Sequence, residues 1–224
     1  MGVHLLTGAG SGIGELVARA LHDRGDELWL LARSPERAEE LAAAFEGART
    51  LVADLADASA VSALEVPPAV DGVVHSAGVV DVGPLTDTDP ADLERAVAVN
   101  LVAPMVLSRL VVPAVRRARG THVFVNSGSG LRAKADWASY NASKFGLRGF
   151  ADALRSEEAG HGVRVTTVYP GRVATPMQER VHAAEGASYD ASRWIRPETV
   201  AAQVVAVLDL AEDATIPDLT ISPR

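Results

Sequence analysis

The 224-residue chain is 48% hydrophobic and 22% charged, which is enough apolar content for a sizeable core and too much for a disordered tail. Lys and Arg number 21 against 29 Asp and Glu, a formal charge of -8, and no basic stripe interrupts that balance, so no nucleic-acid partner is expected. No cysteine is present, which excludes disulfides, thiolate catalysis and cysteine-ligated zinc. No apolar run is expected to reach the roughly 18 to 20 residues of a bilayer crossing, and the first residues carry no cleavable signal, so the expected compartment is the cytoplasm.

In chain order, a strand is expected at residues 3–7, ending in Thr7-Gly8-Ala9-Gly10-Ser11-Gly12-Ile13-Gly14, with a helix at 13–24. Glycines in such a turn let the backbone approach a pyrophosphate, whose charge the free N–H groups of the helix start can hold. A second strand at 28–32 runs into Arg33 and Ser34, then a helix at 35–45 and a third strand at 50–52. Strand four, 72–75, leads into His75-Ser76-Ala77-Gly78. Helical spacing covers 91–99 and 105–117 with Asn100 between them, and strand five at 122–126 leads to Ser127-Gly128-Ser129. The next helix, 137–159, carries Tyr140 and Lys144 one turn apart on one face, so that the ammonium can favour the phenolate. Strand six, 163–169, is followed by Pro170-Gly171-Arg172-Val173-Ala174-Thr175. Residues 173–196 have weak periodicity and read as a lid over a ligand, or as a surface helical excursion. A helix at 197–210 and a strand at 219–221 complete the series.

Strand and helix alternate, the strands are nearly continuous apolar runs, and no repeat or long linker divides the chain. The expected fold is α/β, a single-domain Rossmann-type, doubly wound parallel sheet of about seven strands with helices on both faces. The six histidines show no metal-ligand spacing, so no catalytic metal is expected.

With its Thr-Gly-x-x-x-Gly-x-Gly turn and Tyr-x-x-x-Lys pair, the chain resembles the short-chain dehydrogenase/reductase family from residue 2 to about residue 221. The resemblance implies a catalytic tetrad of Asn100, Ser127, Tyr140 and Lys144. Ser127 stands thirteen residues before Tyr140, the family spacing, while Ser129 is its competitor two residues on. In relatives the Asn side chain helps hold a water that links the Lys to solvent. For a dinucleotide, the resemblance implies Gly8, Gly10, Ser11, Gly12, Ile13 and Gly14 at the phosphates, and Asp54 with Leu55 at the adenine. It also implies Ala77 and Gly78 at the ribose with Asn100, Tyr140 and Lys144, and Pro170, Gly171, Val173 and Thr175 at the nicotinamide. His75 and Ser76 replace the two Asn residues of the family's Asn-Asn-Ala-Gly segment.

The expected activity is an NAD(P)-dependent hydride transfer between a nicotinamide and a carbonyl or secondary alcohol, with Tyr140 as general acid/base. The alternative is a dinucleotide-binding sensor or interaction protein on the same fold, without turnover. NADP is expected over NAD, which stays possible: Ala32 stands where an NAD-selective site places a carboxylate, and Arg33 can pair with a 2′-phosphate, aided by Ser34 and Arg37. A small-molecule substrate and a homodimer or homotetramer, associated through the helices at 105–117 and 137–159, are the expected partners.

Overall fold

The computed structural model describes residues 1–224. Seven parallel strands, β1 Val3–Thr7, β2 Glu27–Ala32, β3 Arg49–Val52, β4 Gly72–His75, β5 Thr121–Val125, β6 Arg164–Pro170 and β7 Asp218–Ile221, form one sheet in the order β3-β2-β1-β4-β5-β6-β7. Chain direction across the sheet reverses between β1 and β4, so a crevice opens at their carboxyl ends, where open α/β sheets take ligands. The helices are α1 Gly12–Asp23, α2 Pro35–Ala44, α3 Ala58–Ser62, α4 Pro90–Val97, α5 Ala103–Ala118, α6 Ala138–Glu158, α7 Pro176–Ala184 and α8 Pro197–Leu208.

Apolar runs such as Leu5-Leu6 and Val73-Val74 are continuous because successive side chains enter opposite cores. Leu6, Leu30, Val74 and Val123 pack with Val17, Leu21, Leu41 and Val204 on one face. Leu5 and Val73 pack with Val61, Leu107, Val111 and Val115 on the other, beside a smaller cluster of Phe124, Val165, Leu147 and Leu154. Full burial of each such side chain contributes about 1.5–3 kcal/mol.

One helix, α3, was not foreseen, and another, α7, was foreseen only as the alternative of a surface helical excursion. The five-residue α3 is too short to show periodicity, although Asp57 caps it by accepting from Ser59 and Ala60 N–H groups. The segment 173–196 contains α7, announced by Thr175-Pro176: Thr175 Oγ1 accepts from the Gln178 N–H and Pro176 opens the first turn. The interruption at Asn100 is a single wide turn, Ala98–Val102, that joins α4 to α5. The resulting 29-residue run, Pro90–Ala118, corrects the expectation on apolar length, because by composition it is long and apolar enough to cross a membrane. In this fold its Ala103, Leu107, Val111 and Val115 are buried against the sheet.

A histidine pair lies in the interior. His75 stacks on Phe124 with ring centroids 4.5 Å apart, and its Nε2 lies 3.5 Å from His122 Nδ1 and 3.3 Å from Ser108 Oγ. Burial, reinforced by His122, pushes His75 well below its ordinary value of 6.5. Burial holds His122 at about 4 even though Glu158, itself paired with Arg116, pulls upward. In the unfolded chain both rings take a proton near pH 6.5, so their contribution is whole above that pH and is lost as pH falls from 6.5 toward 4. Each histidine should add a slope approaching about 1.4 kcal/mol per pH unit. Urea unfolding from pH 7 to 4.5 should show a shallower loss of stability in His75→Asn than in the wild type; equal slopes would remove the buried pair from the acid response.

Candidate active site

At the crevice, the turn after β1 interlocks with the loop after β4. Gly8 has φ of +74°, and a β-carbon there would stand 2.7 Å from the Ala77 nitrogen. A β-carbon on Gly14 would collide with the Gly8 carbonyl, so α1 starts directly against the turn. Thr7 Oγ1 accepts from the N–H groups of Ser76 and Ala77, each at 3.2 Å, and ties the two loops together. Ser11, the cap residue of α1, makes no side-chain cap bond, which leaves the first N–H groups of the helix and the Ser11 hydroxyl free to meet an anion.

A second set of bonds fixes the end of β5 against α6. Asn126 Oδ1 accepts from Ser127 N–H at 2.8 Å while its Nδ2 donates to the Lys144 carbonyl at 3.1 Å. Ser127 Oγ accepts from Ser129 N–H at 3.1 Å, so its own proton is left to donate. Lys144 Nζ donates to the Val125 carbonyl at 3.2 Å and lies 5.7 Å from the centre of the Tyr140 ring. The Asn100 side chain braces the loop after β4: Oδ1 accepts from Val79 N–H at 2.8 Å, and Nδ2 donates to the Val79 carbonyl at 2.9 Å and to Ser143 Oγ at 3.1 Å. Gly78 sits between Asn100 and Lys144, where a β-carbon would lie 3.2 Å from Asn100 Oδ1 and 3.9 Å from Lys144 Nζ.

Burial raises the Tyr140 phenol, opposed by Ser127. Burial lowers Lys144 itself to about 8, because the ammonium has left water for a site holding a carbonyl and a ring face.

These groups line one cleft of about 880 Å³. It brings together Gly8, Ser11, Gly12, Ile13, Ala77, Gly78, Ser127, Tyr140, Lys144, Pro170, Gly171, Val173 and Thr175. Ser129 also reaches the wall, but only Ser127 is close enough to the Tyr140 phenol to oppose the effect of its burial. Gly10, Gly14, Arg33, Asp54, Leu55 and Asn100 lie outside the lining. Gly14 and Asn100 stand behind it as packing and brace; Gly10 lies under the Arg37 guanidinium. Arg33 is exposed at the end of β2 and makes no ion pair. Its two suggested helpers are committed elsewhere, Ser34 to capping α2 and Arg37 to Glu40. Asp54 is exposed and accepts from Ala56 N–H at 2.8 Å, while Leu55 leans on the core.

The segment after β6 folds back on its own base: Val173 bridges to Ile195, and Ala174 N–H donates to the Ile195 carbonyl at 2.8 Å. Arg172 clamps it, pairing with Glu185 at 2.6 Å and standing over the rings of Trp194 and Trp137 at 5.3 and 6.0 Å. The reading of the sequence missed Thr7, Asn126, Ser143 and Arg172 as site-building residues. Each had a local sign: Thr7 opens the glycine turn, Ser143 lies between Tyr140 and Lys144, Arg172 follows Pro170-Gly171, and Asn126 stands beside Ser127 at a strand end. Ser222 and Pro223 also border the cleft.

A family profile described as short chain dehydrogenase matches residues 2–186. A short-chain type dehydrogenase/reductase of Sinorhizobium fredii is 31% identical over 226 residues, covering 99% of this chain and 91% of the relative. Dehydrogenase/reductase SDR family member 7B of Bos taurus is 32% identical over 203 residues; the match takes in 84% of this chain but only 62% of that longer protein. Among solved structures, a metagenomic short-chain oxidoreductase in complex with NADP is 32% identical, with a TM-score of 0.81 over 100% of this chain and 97% of its own.

Asn126→Ala strips the bond partners from the Ser127 N–H and the Lys144 carbonyl, which should cost about 1–3 kcal/mol. A drop of several degrees in melting temperature is the expected result, and an unchanged melting temperature would mean that other contacts hold the β5 end against α6.

Proposed function

The chain belongs to the short-chain dehydrogenase family, and on that premise we propose that it transfers a hydride between NADP(H) and a carbonyl or secondary alcohol, with Tyr140 as the proton-transfer group. The observation that carries this reading is the convergence of Ser127, Tyr140 and Lys144 in one cleft with the glycine turn. The residues fit a dinucleotide: the Gly8 and Gly14 positions have no room for a β-carbon, and the start of α1 offers uncapped N–H groups and a free Ser11 hydroxyl to a pyrophosphate. Ile13, Ala77, Gly78, Val173 and Thr175 would hold the remainder, with Asp54 and Leu55 at the adenine end. When bound, the nicotinamide supplies or accepts the hydride.

The chain's own residues then handle orientation and the proton. Ser127 Oγ, its acceptor capacity turned to Ser129, donates to the reacting oxygen and fixes it beside Tyr140. Tyr140 gives its proton to that oxygen as the carbonyl becomes an alkoxide, and burial keeps the phenol protonated until then. Lys144, at about 8, is mostly an ammonium at neutral pH and stabilises negative charge arriving on Tyr140. Residues 173–196 act as the lid of a single nucleotide-binding domain, 1–224. Arg33, exposed and unpaired beyond Ala32, favours the 2′-phosphate of NADP. The exposed Val102, Met105 and Phe145 on the run from α4 to α5 and on α6 support association of two or more copies there.

Tyr140→Phe should lower turnover at least about 100-fold while leaving cofactor affinity in place, and Ser127→Ala should cost far more than Ser129→Ala. Wild-type turnover in the Phe variant would return the protein to the class of binders without chemistry. Fluorescence titration of NADPH and NADH should show a preference of about tenfold or more for NADPH, about 1.4 kcal/mol, that Arg33→Ala removes; equal affinities in the wild type would end the assignment.

A further inference from the structure

The cleft has a charge opposite to that of the protein. In a chain with 29 acidic and 21 basic residues, no Asp or Glu lines it, whereas Arg132, Lys134, Lys144, Arg172 and Arg180 all do. Lys144 belongs to the reacting cluster and Arg172 is spent on Glu185. Arg132, Lys134 and Arg180 are exposed and form no ion pair, although Glu185 feels Lys134, and they border the same space from two sides: Arg132 and Lys134 on the β5–α6 loop, and Arg180 on α7. Arg193 stands over Trp194 outside the lining.

The cationic loop is a shaped element. Asn141 grips Lys134 by its main chain, donating from Nδ2 to the carbonyl at 2.7 Å and accepting from the N–H at 3.5 Å. Asp136 takes a left-handed conformation, φ +62°, and its carbonyl accepts from Gly83 N–H at 2.8 Å. Lys134 Nζ lies 5.2 Å from the Trp137 ring centre, and Trp137 meets the Tyr140 ring edge-on at 5.6 Å. One indole therefore stands between a free ammonium and the Tyr140 phenol. Trp137, Met177, Val181 and Trp194 supply apolar wall on the same side.

We infer that the substrate is a carbonyl or alcohol compound with an apolar body and an anionic group, the anion taken by Arg132, Lys134 and Arg180 while the reacting oxygen meets Ser127 and Tyr140. The inference rests on the oxidoreductase reading above. A cleft lined by one sign of charge raises the local concentration of the opposite sign, and guanidinium and ammonium groups form charge-assisted hydrogen bonds with carboxylate and phosphate alike. The phosphates of a dinucleotide are met by the glycine turn and α1, so these three cations remain for the second ligand.

The test uses the full chain with saturating NADPH and three probes of one aryl ketone skeleton: a keto acid, its methyl ester and a phosphate-bearing ketone. Binding is read with NADP+ in place of NADPH, so that no reduction runs, from the combined fluorescence of Trp29, Trp137 and Trp194, and turnover with NADPH from nicotinamide absorbance. Either anionic probe should bind at least tenfold tighter than the ester, and the stronger of the two identifies carboxylate or phosphate as the group taken. The preference should shrink as salt rises from 20 to 300 mM, and Arg132→Gln/Lys134→Gln should collapse it chiefly through KM, with kcat less affected. Ester binding equal to that of both anions, or a preference untouched by salt and by the double variant, overturns the inference. Anion-selective binding with no Tyr140-dependent reduction of any probe would instead sink the oxidoreductase reading and leave the anion site standing.

Discussion

Two backbone loops meet at the carboxyl ends of β1 and β4 with no space between them for a methyl group. Gly8 lies against the Ala77 nitrogen, Gly14 lies against the Gly8 carbonyl, and Thr7 Oγ1 accepts from both Ser76 and Ala77. This close approach depends on glycine, because any side chain would push α1 off the sheet and carry its free N–H groups away from the crevice. It also decides where the loop after β4 goes next: Gly78 passes between Asn100 and Lys144, and Asn100 grips Val79 from both sides. The cofactor-side turn and the Lys144 side are therefore parts of one braced surface.

Lys144 shows the cost of that arrangement. Its ammonium is buried with a single carbonyl bond, and desolvation brings it to about 8, so the free energy of holding the charge there is offset by the packing around it. Tyr140 is also buried, and its phenol is raised. A buried acid held in its protonated form beside a cation that stabilises its conjugate base is suited to giving a proton up only when charge develops next to it. The spacing of Tyr140 and Lys144 led to the expectation that the ammonium lowers the phenol in advance; in the protein alone burial raises it, with Ser127 acting the other way.

Much of this was legible in the sequence, for physical reasons that can be named. The inner strands were found because burial on both faces turns them into short apolar runs, the half-exposed edge strands β3 and β7 by their short Leu- and β-branched-rich runs, and β1 and β4 were found to the residue. The spacing of Tyr140 and Lys144 foretold a shared helix face, and the break at Asn100 appears as the wide turn Ala98–Val102. What sequence could not give is contact between elements distant in the chain. Thr7 bonding to residues 69 and 70 positions away, or Asn126 bonding to the Lys144 carbonyl, leaves no periodic trace. The apolar run through α5 was underrated because its two halves were read as separate helices, while the wide turn keeps them continuous.

The charge of the cleft belongs to the same class of property. Arg132, Lys134, Arg172 and Arg180 are spread over 49 positions of an acidic chain, and nothing in their order shows that they share a wall free of carboxylates. Arg172 gives that wall its coherence. Its guanidinium lies over Trp137 from the loop before α6 and over Trp194 from the end of the lid, and its pairing with Glu185 joins α7 to both. Trp137 in turn packs on Tyr140, so the lid is tied by two ring contacts to the group proposed to move the proton. The partly exposed Arg172–Glu185 pair and the two indoles under the Arg172 guanidinium therefore join the segment after β6 to the wall beside Tyr140. The segment after β6 and the ring that packs on Tyr140 are thus parts of one contact network in this fold.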